Sequence, residues 1–373
     1  MERNSRISAF ESAVPTVNHL TSAVNHAEIS SEILLKLLES PAVSMEQTSR
    51  SGNSRVYRVR CQNGKEYAIK SYFQRTIDGL DRLEVEFSSL FFLWGSGIRC
   101  VPKPVSADRD RQIAVYEYVD GQKINCRDVV ADDIDRLVQF ACELKSLAAS
   151  RDSLKLPPAS EACFSVKAVA ENIESRLKRL TELDEPGSNY IALKQFLAVD
   201  FIPALETIKA RIIEKEGTKI FSAELPARNR TLSPSDFGFH NALKQADGRL
   251  VFLDFEYFGW DDPAKMIADF VLHPAMDLSA QLKQRFVQKM LECFAQDEFL
   301  KDRVERLYPL FGLKWCIIVL NEFIPIDLKR REFAAATAGD IMAIQVRQLE
   351  KSKGMLRGVM SEIQKFPYLQ CTV

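Results

Sequence analysis

The chain has 373 residues, 46% hydrophobic and 27% charged, a composition typical of a globular protein with two or three structural units. Its 50 Lys and Arg residues balance 51 Asp and Glu residues, so the charge gives no support for binding nucleic acid or a membrane surface. Because the N-terminus lacks a signal-peptide pattern and no stretch has the roughly 18 apolar residues of a membrane span, we expect a cytoplasmic protein.

The eight cysteines predict neither a zinc site nor a disulfide framework. No two of them form a Cys-x-x-Cys pair, and no histidine cluster accompanies them. A chain of this length can bury a hydrophobic core without disulfides. We therefore expect most of the cysteines to be small buried residues in a reducing compartment.

The first third of the chain predicts a small antiparallel β-sheet with a helix packed on it. Residues 1–28 are rich in Ser, Asn, Thr and Ala and predict an arm that is disordered or loosely docked. A Gln-Asn-Gly-Lys hairpin signal at 62–65 joins two alternating segments of the lobe expected at residues 29–119. Its predicted elements are helices at 30–39 and 77–94 and strands at 43–48, 55–61, 66–73, 103–107 and 112–118.

Residues 120–373 predict a larger, mainly helical lobe, which gives an α+β fold overall. Apolar residues recur at i, i+3 and i+4 through most of this region. Residues 150–230 are interpreted as a helical insertion that precedes a strand–turn–strand pair around Asp247-Gly248. The predicted helices are 132–148, 165–183, 191–216, 278–294 and 302–323.

Two short segments near the middle of the chain carry the most informative polar residues. Asp236 and Asn241 are five residues apart in a predicted loop, and Asp254 ends a hydrophobic strand thirteen residues later. Phosphoryl transfer requires such a set. One carboxylate orients a hydroxyl and accepts its proton, while an amide and a second carboxylate hold magnesium on the phosphates. We expect the nearby His240 to serve in packing or hydrogen bonding rather than as a base.

These residues resemble the motifs of the aminoglycoside phosphotransferase/choline kinase-like family of small-molecule kinases. The resemblance covers about residues 43–273, and its most specific part includes the Gly-Trp-Asp-Asp-Pro run at 259–263. It implies a bilobal, protein-kinase-like fold that binds ATP and Mg²⁺. It also implies that Asp236 is the catalytic base and that Asn241 and Asp254 are the metal ligands.

The resemblance assigns further residues to the nucleotide. Lys70, in Tyr-Ala-Ile-Lys, resembles the strand lysine that contacts the α- and β-phosphates. Glu86 resembles the helix glutamate that pairs with this lysine, and Glu84 is the alternative. Glu117 and Val119 lie in a segment similar to the hinge whose backbone binds adenine.

The sequence departs from the family pattern at two places. The family usually has His-Gly before the catalytic aspartate, and here these positions are Pro234 and Ser235. Those residues normally shape the loop and do not perform the chemistry. The expected phosphate-binding loop, which includes Gly52 and Ser54, has one glycine where related loops have several, although backbone N–H groups of a tight turn can still bind phosphate.

The resemblance implies an acceptor hydroxyl on a sugar, an aminoglycoside or an amino alcohol, held by C-terminal helices. Trp315 and Glu322 are seven apart on a predicted helix and so share a face. The candidate substrate residues are Trp260, Asp261, Trp315, Asn321, Glu322 and Asp327. A cationic acceptor would need several acids or an aromatic cage. The basic run at 329–331 shows that this region is not uniformly acidic.

Two alternatives to a phosphotransferase remain open on the sequence, and the oligomeric state is not indicated. One is a catalytically weak, kinase-like protein that binds nucleotide and regulates a partner, which the Pro234-Ser235 replacement suggests. The other is an adenylyl transferase on the same fold, which would release pyrophosphate instead of ADP. Retention of Lys70, Asp236, Asn241 and Asp254 argues against the catalytically weak protein, whereas an adenylyl transferase would use the same metal ligands.

Overall fold

Residues 29–50, 54–73, 81–328, 341–363 and 366–369 are described by the computed structural model of the chain. The first lobe is built on a five-stranded antiparallel sheet of order β1-β2-β3-β5-β4. A tight turn at Gly64 (φ 79°) closes the predicted β2–β3 hairpin. The strands are β1 (Ala42–Arg50), β2 (Ser54–Cys61), β3 (Glu66–Tyr72), β4 (Pro104–Asp108) and β5 (Ile113–Glu117).

Two helices accompany this sheet, α1 (Ser31–Leu37) and α2 (Arg82–Gly95). Asp81 caps α2 by accepting a hydrogen bond from the backbone N–H of Glu84 (3.0 Å). One face of α2 is apolar and buried, which packs the helix on the lobe's core. The predicted start of this helix, residues 77–80, lies outside the described residues.

The remainder of the chain is mainly helical, as expected. The predicted helix 191–216 consists of two helices joined by a π-helical segment, Leu197–Phe201. Pro203 at the start of the second helix has no N–H to continue the ladder, which accounts for the break. The helices are α3 (Ala131–Ala148), α4 (Val166–Thr181), α5 (Ser188–Phe196), α6 (Ile202–Ser222), α7 (Pro263–Leu272), α8 (Ala280–Cys293), α9 (Leu300–Ile318) and α10 (Ile341–Glu362).

Five short strands frame the loop between α6 and α7. β6 (Gln122–Lys123), β8 (Ala242–Lys244) and β9 (Leu250–Phe252) form one antiparallel sheet. β7 (Thr231–Ser233) and β10 (Gly259–Asp261) form a second. The lobe boundary predicted at residues 119 and 120 stays a prediction, although β6 pairs with the second lobe.

A cluster of buried aromatic rings holds these strands against α3 and α7. Phe140 of α3 stacks on Phe252 of β9 with ring centroids 4.4 Å apart, and Phe270 of α7 stacks on Phe286 at 3.8 Å. Burial of such a side chain contributes roughly 1.5–3 kcal/mol. Across the part of the chain that the structure describes, no helix is both long and apolar enough to span a membrane.

Cys142 and Cys293 meet between α3 and α8, and their Cα atoms are 5.9 Å apart, the spacing of a disulfide pair. The cysteine spacing did not predict this pairing, because the two residues are 151 positions apart and only the packing of the helices brings them together. Cys61, Cys163 and Cys316 are free and buried, which agrees with the expectation of small core residues.

Candidate active site

A cleft of about 980 Å³ lies between the five-stranded sheet and the helical lobe. One wall comes from β3, α2 and the end of β5, and the other from residues 235–257, α4, α7 and α9. Side chains far apart in the sequence therefore meet here. The sequence-predicted residues that line the cleft are Lys70, Glu86, Glu117, Val119, Asp236, Asn241, Asp254, Trp315, Asn321 and Asp327.

The loop after β7 is fixed by phenylalanines that point into the core. Phe237 is 4% exposed and Phe239 is fully buried. The ring of Phe237 packs against the rings of Phe140 and Phe252, with centroids 6.2 Å and 6.0 Å away. Because these rings are anchored, the polar side chain of Asp236 is left at the cleft surface.

Asp236 accepts hydrogen bonds from two neighbours in its own loop. His240 Nε2 lies 2.9 Å from one carboxylate oxygen, and the amide nitrogen of Asn241 donates to the other at 3.1 Å. Burial alone would raise the pKa of Asp236, but the His240 hydrogen bond and the charges of His240 and His273 outweigh it and lower the pKa to about 2. Asp236 is therefore ionised and can accept a hydrogen bond from a hydroxyl group.

The β8–β9 hairpin brings Asn241 and Asp254 to the same end of the sheet. Ala242 pairs with Phe252, and the N–H of Leu253 donates to the carbonyl of Asn241 at 2.8 Å. Asp254 follows with a left-handed backbone (φ 66°), a conformation that costs a residue with a side chain about 1–2 kcal/mol. Such strain is often found at functional positions.

Lys70 joins the two lobes. Its Nζ lies 2.5 Å from a carboxylate oxygen of Glu86 and 2.6 Å from one of Asp254. Tyr72 donates a further hydrogen bond to Glu86 at 2.7 Å, whereas Glu84 pairs with an exposed arginine. Burial alone would lower the pKa of Lys70, but the charges of Asp254 and Glu86 outweigh it and raise the pKa well above its usual value. Lys70 is thus a fixed cation at the centre of the cleft.

A third buried carboxylate, Glu256, completes this cluster and was not predicted from the sequence. Carboxylate oxygens of Glu86, Asp254 and Glu256 lie within 4.8 Å of one another. Lys70 and Arg82 are the cations that approach Glu256, at 3.8 Å and 3.6 Å. Burial and the Asp254 charge raise the pKa of Glu256 to about 7. These carboxylates form an all-oxygen donor set with more carboxylates than cations, which fits Mg²⁺. Asp254 and the amide oxygen of Asn241 are the candidate ligands.

The segment predicted to bind adenine follows β5. Glu117 is exposed and pairs with Lys103 at 2.9 Å. Val119 lines the cleft, and its backbone makes no hydrogen bond to any residue within the described ranges. Ser54 is buried at the start of β2 and does not line the cleft, and Gly52 lies outside the described residues.

Of the six candidate substrate residues, Trp315, Asn321 and Asp327 line the cleft. The indole N–H of Trp315 donates to Asp269 there at 2.9 Å. The other three lie away from the cleft surface. Trp260 donates to a backbone carbonyl at 3.0 Å, Asp261 is fully buried, and Glu322 is 6% exposed. Glu322 does not share a face with Trp315 because α9 ends at residue 318 and the chain tightens into a 3₁₀-helix there.

Lys265 is a further cleft residue that sequence reasoning missed. It is 1% exposed, and its Nζ contacts Asp261 at 2.9 Å, Asp269 at 3.3 Å and the hydroxyl oxygen of Ser235 at 3.0 Å. The i, i+4 spacing of these acids about Lys265 was a signal for this pairing. Burial alone would lower the pKa of Lys265, but the charges of Asp261 and Asp269 outweigh it and raise the pKa.

His273 was also missed, and no local sequence pattern marks it. Its ring stacks on that of His240 with centroids 4.0 Å apart, and its Nε2 lies 3.7 Å from a carboxylate oxygen of Asp236. The edge-to-face contact with Trp315 has a centroid distance of 4.5 Å. His273 therefore connects the loop that carries Asp236 with α9.

No protein-family model matches the chain, and no curated protein matches it in sequence. Solved structures match it over most of their length. A spectinomycin phosphotransferase in complex with ADP and spectinomycin has a TM-score of 0.59 and 11% identity, with 88% of this chain and 97% of that chain covered. An ethanolamine kinase from Plasmodium vivax has a TM-score of 0.57 and 14% identity, with 85% and 83% covered. A choline kinase from Streptococcus pneumoniae has a TM-score of 0.55 and 18% identity, with 88% and 97% covered.

These similarities confirm the predicted α+β, bilobal, kinase-like fold. They also agree with the resemblance to the aminoglycoside phosphotransferase/choline kinase-like proteins. Identities of 11% to 18% establish a shared fold and leave the reaction and its acceptor to be argued from the site.

Proposed function

We propose that this protein transfers the γ-phosphate of ATP, with Mg²⁺, to a hydroxyl group of a small molecule. The observation that carries the proposal is the convergence of Lys70, Glu86, Asp236, Asn241 and Asp254 on one cleft. Lys70 and Asp254 are 184 positions apart, yet their side chains are in contact. The constellation matches the parts that phosphoryl transfer needs.

In this proposal ATP lies between the lobes, with adenine against residues 117–119. Lys70 orients the α- and β-phosphates, and Glu86 holds Lys70 in place by the 2.5 Å contact. Asp254 and Asn241 would hold Mg²⁺, which supplies positive charge to the phosphates. Because its charges are already fixed in place, the site can stabilise the charge of the reacting phosphoryl group without reorganising.

Asp236 is proposed to align the acceptor hydroxyl and to accept its proton. Its low pKa keeps it ionised at neutral pH, and His240 and Asn241 fix the orientation of its carboxylate. Proton acceptance contributes less than alignment in a loose transition state, so most of the rate enhancement is expected from positioning.

The test is ADP release from Mg-ATP by the purified protein with a panel of hydroxyl-bearing acceptors, comparing wild type with Asp236→Asn. We expect the variant to lose acceptor-stimulated ADP release and to retain nearly the same ATP affinity, because Asp236 lies on the acceptor side. Asp247→Asn is the matched control, since Asp247 is exposed in the β8–β9 turn and pairs with Arg249.

Three outcomes would contradict the proposal. Wild-type turnover by Asp236→Asn would remove Asp236 from the mechanism. Release of pyrophosphate would indicate an adenylyl transferase. ATP binding without ADP release by any acceptor would indicate a nucleotide-binding regulator.

A further inference from the structure

Basic side chains line the acceptor side of the cleft, and three of the acids there form ion pairs with them. Arg176 and Arg179 lie three residues apart on α4, and Lys314 lies on α9, which packs against α4. Three acids on this wall each hold a cation of the protein. Glu161 contacts Arg176 and Lys314, Asp327 contacts Arg179, and Asp269 contacts Lys265.

Glu161, Arg176 and Lys314 form the anion cluster, the name used below for these three residues. The Nη2 of Arg176 lies 2.6 Å from one carboxylate oxygen of Glu161, and the Nζ of Lys314 lies 2.9 Å from the other. Burial alone would raise the pKa of Glu161, but the charges of Lys314 and Arg176 outweigh it and lower the pKa to about 2. One carboxylate shared by two cations leaves a net positive charge.

This net charge is partly shielded from water, which strengthens its attraction for an anion. The side chain of Lys314 is 4% exposed and that of Arg176 is 19% exposed. Arg176 uses Nε for Asn172 and Nη2 for Glu161, and its Nη1 makes no hydrogen bond to any residue in the described part of the chain. A guanidinium group with a free edge is well suited to bind a carboxylate or a phosphate.

The anion cluster lies on the wall that carries the acceptor-side contacts of Asp236. Lys314 precedes Trp315, which contacts His273, and His273 lies 3.7 Å from the Asp236 carboxylate. A molecule with a hydroxyl at Asp236 could therefore place a second functional group at Arg176 and Lys314.

A cationic acceptor fits this wall poorly. Asp236 is the carboxylate proposed to hold the reactive hydroxyl. A cationic group elsewhere on the acceptor would need a further unpaired carboxylate, and Glu161, Asp269 and Asp327 are each engaged by a lysine or an arginine. It would also compete with the positive charge of the anion cluster. The solved kinases that act on choline, ethanolamine or aminoglycosides therefore indicate the fold here and do not indicate the acceptor.

We propose that the acceptor carries a carboxylate or phosphate group beside its reactive hydroxyl, and that Arg176 and Lys314 bind this group. The inference rests on the proposed phosphotransferase function, because it names the acceptor of that reaction. The structure favours hydroxy acids and sugar acids or phosphorylated polyols over amino alcohols.

Binding is measured by calorimetry on protein saturated with Mg-ADP, so that ADP already fills the part of the cleft that binds the nucleotide phosphates. The probes are two matched sets: glycerate, glycerol 3-phosphate, glycerol and 3-amino-1,2-propanediol, and glucuronate, glucose 6-phosphate, glucose and glucosamine. We expect the anionic members to bind and the neutral and cationic members not to. The carboxylate and phosphate arms separate the two sources of negative charge. Absence of anion binding up to about 10 mM, or tighter binding by the amines, overturns the inference.

Variants test whether the anion cluster is responsible. Arg176→Gln should lower the affinity for the anionic probes roughly ten- to hundredfold, because it removes a charge-assisted hydrogen bond. Glu161→Gln should tighten them, because it removes the competing carboxylate, whereas a purely structural role predicts a loss in both variants. Arg285→Gln is the control, since Arg285 pairs with Asp135 away from the cleft.

The proposed function and this inference fail in different ways. ADP release stimulated by a cationic acceptor would support phosphotransfer and overturn the anionic acceptor. Anion binding that depends on Arg176, without ADP release by any acceptor, would retain the anion site and remove the proposed reaction. Unchanged anion binding in a folded Arg176→Gln protein would overturn the role of the anion cluster.

Discussion

Two residues with side chains adopt left-handed backbone conformations at the cleft, Ser235 (φ 68°) and Asp254 (φ 66°). Ser235 stands where the resembling family usually has glycine, which adopts this conformation without a steric cost. Its hydroxyl oxygen accepts a hydrogen bond from Lys265 at 3.0 Å, which offsets part of the cost. At this departure from the family pattern, the Lys265 hydrogen bond helps to hold the loop.

Replacing Ser235 separates these two effects. Ser235→Ala loses the Lys265 hydrogen bond and keeps the strained backbone, whereas Ser235→Gly loses the bond and the strain. We expect the glycine variant to be more stable than the alanine variant by about 1 kcal/mol, after allowing for the greater freedom of glycine in the unfolded chain. Urea unfolding measures the difference. An alanine variant as stable as the glycine variant would contradict the strain argument.

At the residue scale, the sequence predicted the members of the site that share a local motif. Asp236 and Asn241 belong to the loop before the β8–β9 hairpin, and Asp254 follows β9, so their proximity follows from that hairpin. His273 and Lys314 reach the cleft only through the packing of α7 and α9, and no spacing in the sequence reports that packing.

At the element scale, β10 pairs with the strand that leads into the Asp236 loop. It pairs with β7, where Gly259 lies opposite Ser233, and the N–H of Trp260 donates to the carbonyl of Pro157 at 3.0 Å. A Cβ atom on Gly259 would lie 2.4 Å from the carbonyl oxygen of Pro157 and 2.5 Å from the backbone nitrogen of Ala159. Only glycine allows the 157–159 segment to approach β10 this closely.

Gly259→Ala should therefore push β10 away from its neighbour. We expect a loss of stability of about 1–3 kcal/mol, typical of overpacking, and a fall in kcat because β7 leads directly into the Asp236 loop. Gly95→Ala is the control, since a Cβ atom there meets nothing within 4 Å. Thermal unfolding and ADP release check both effects, and a Gly259→Ala protein as stable as the control would contradict the close approach.

Element prediction succeeded where one period persists and failed where the chain changes geometry. The β2–β3 hairpin follows from alternation and its turn residues. The predicted helices 191–216 and 302–323 kept their apolar periodicity across a π-helical segment and a 3₁₀-helix. The spacing of hydrophobic residues does not indicate a change in the backbone hydrogen-bond pattern, so the sequence could not predict these two breaks.

At the scale of the whole molecule, the cleft contains several ionisable groups whose pKa values in the folded protein differ from those in the unfolded chain. Burial and the charge of His240 lower the pKa of His273 from 6.5 to about 4. The unfolded chain therefore binds a proton at His273 between pH 6.5 and 4 that the folded protein does not. This group makes folding less favourable as the pH falls through that window and has a constant effect above it.

Replacing His273 by glutamine should remove this pH dependence. We expect the difference in unfolding free energy between pH 7 and pH 4 to shrink by at most about 3 kcal/mol relative to wild type. Urea unfolding across this range measures it. The carboxylates of the cleft are present in both proteins, so the comparison reports His273 together with its effect on the pKa of Asp236. An unchanged difference would mean that His273 titrates normally in the folded protein.

The loop that carries Asp236 is packed into the core of the molecule. Phe237 and Phe239 anchor it in the same aromatic cluster that holds α3 and α7 together. The polar atoms that perform the proposed chemistry and the rings beneath them therefore form one mechanical unit. A substitution among these rings can therefore leave the fold and every polar group of the cleft in place and still disturb how those groups are aligned.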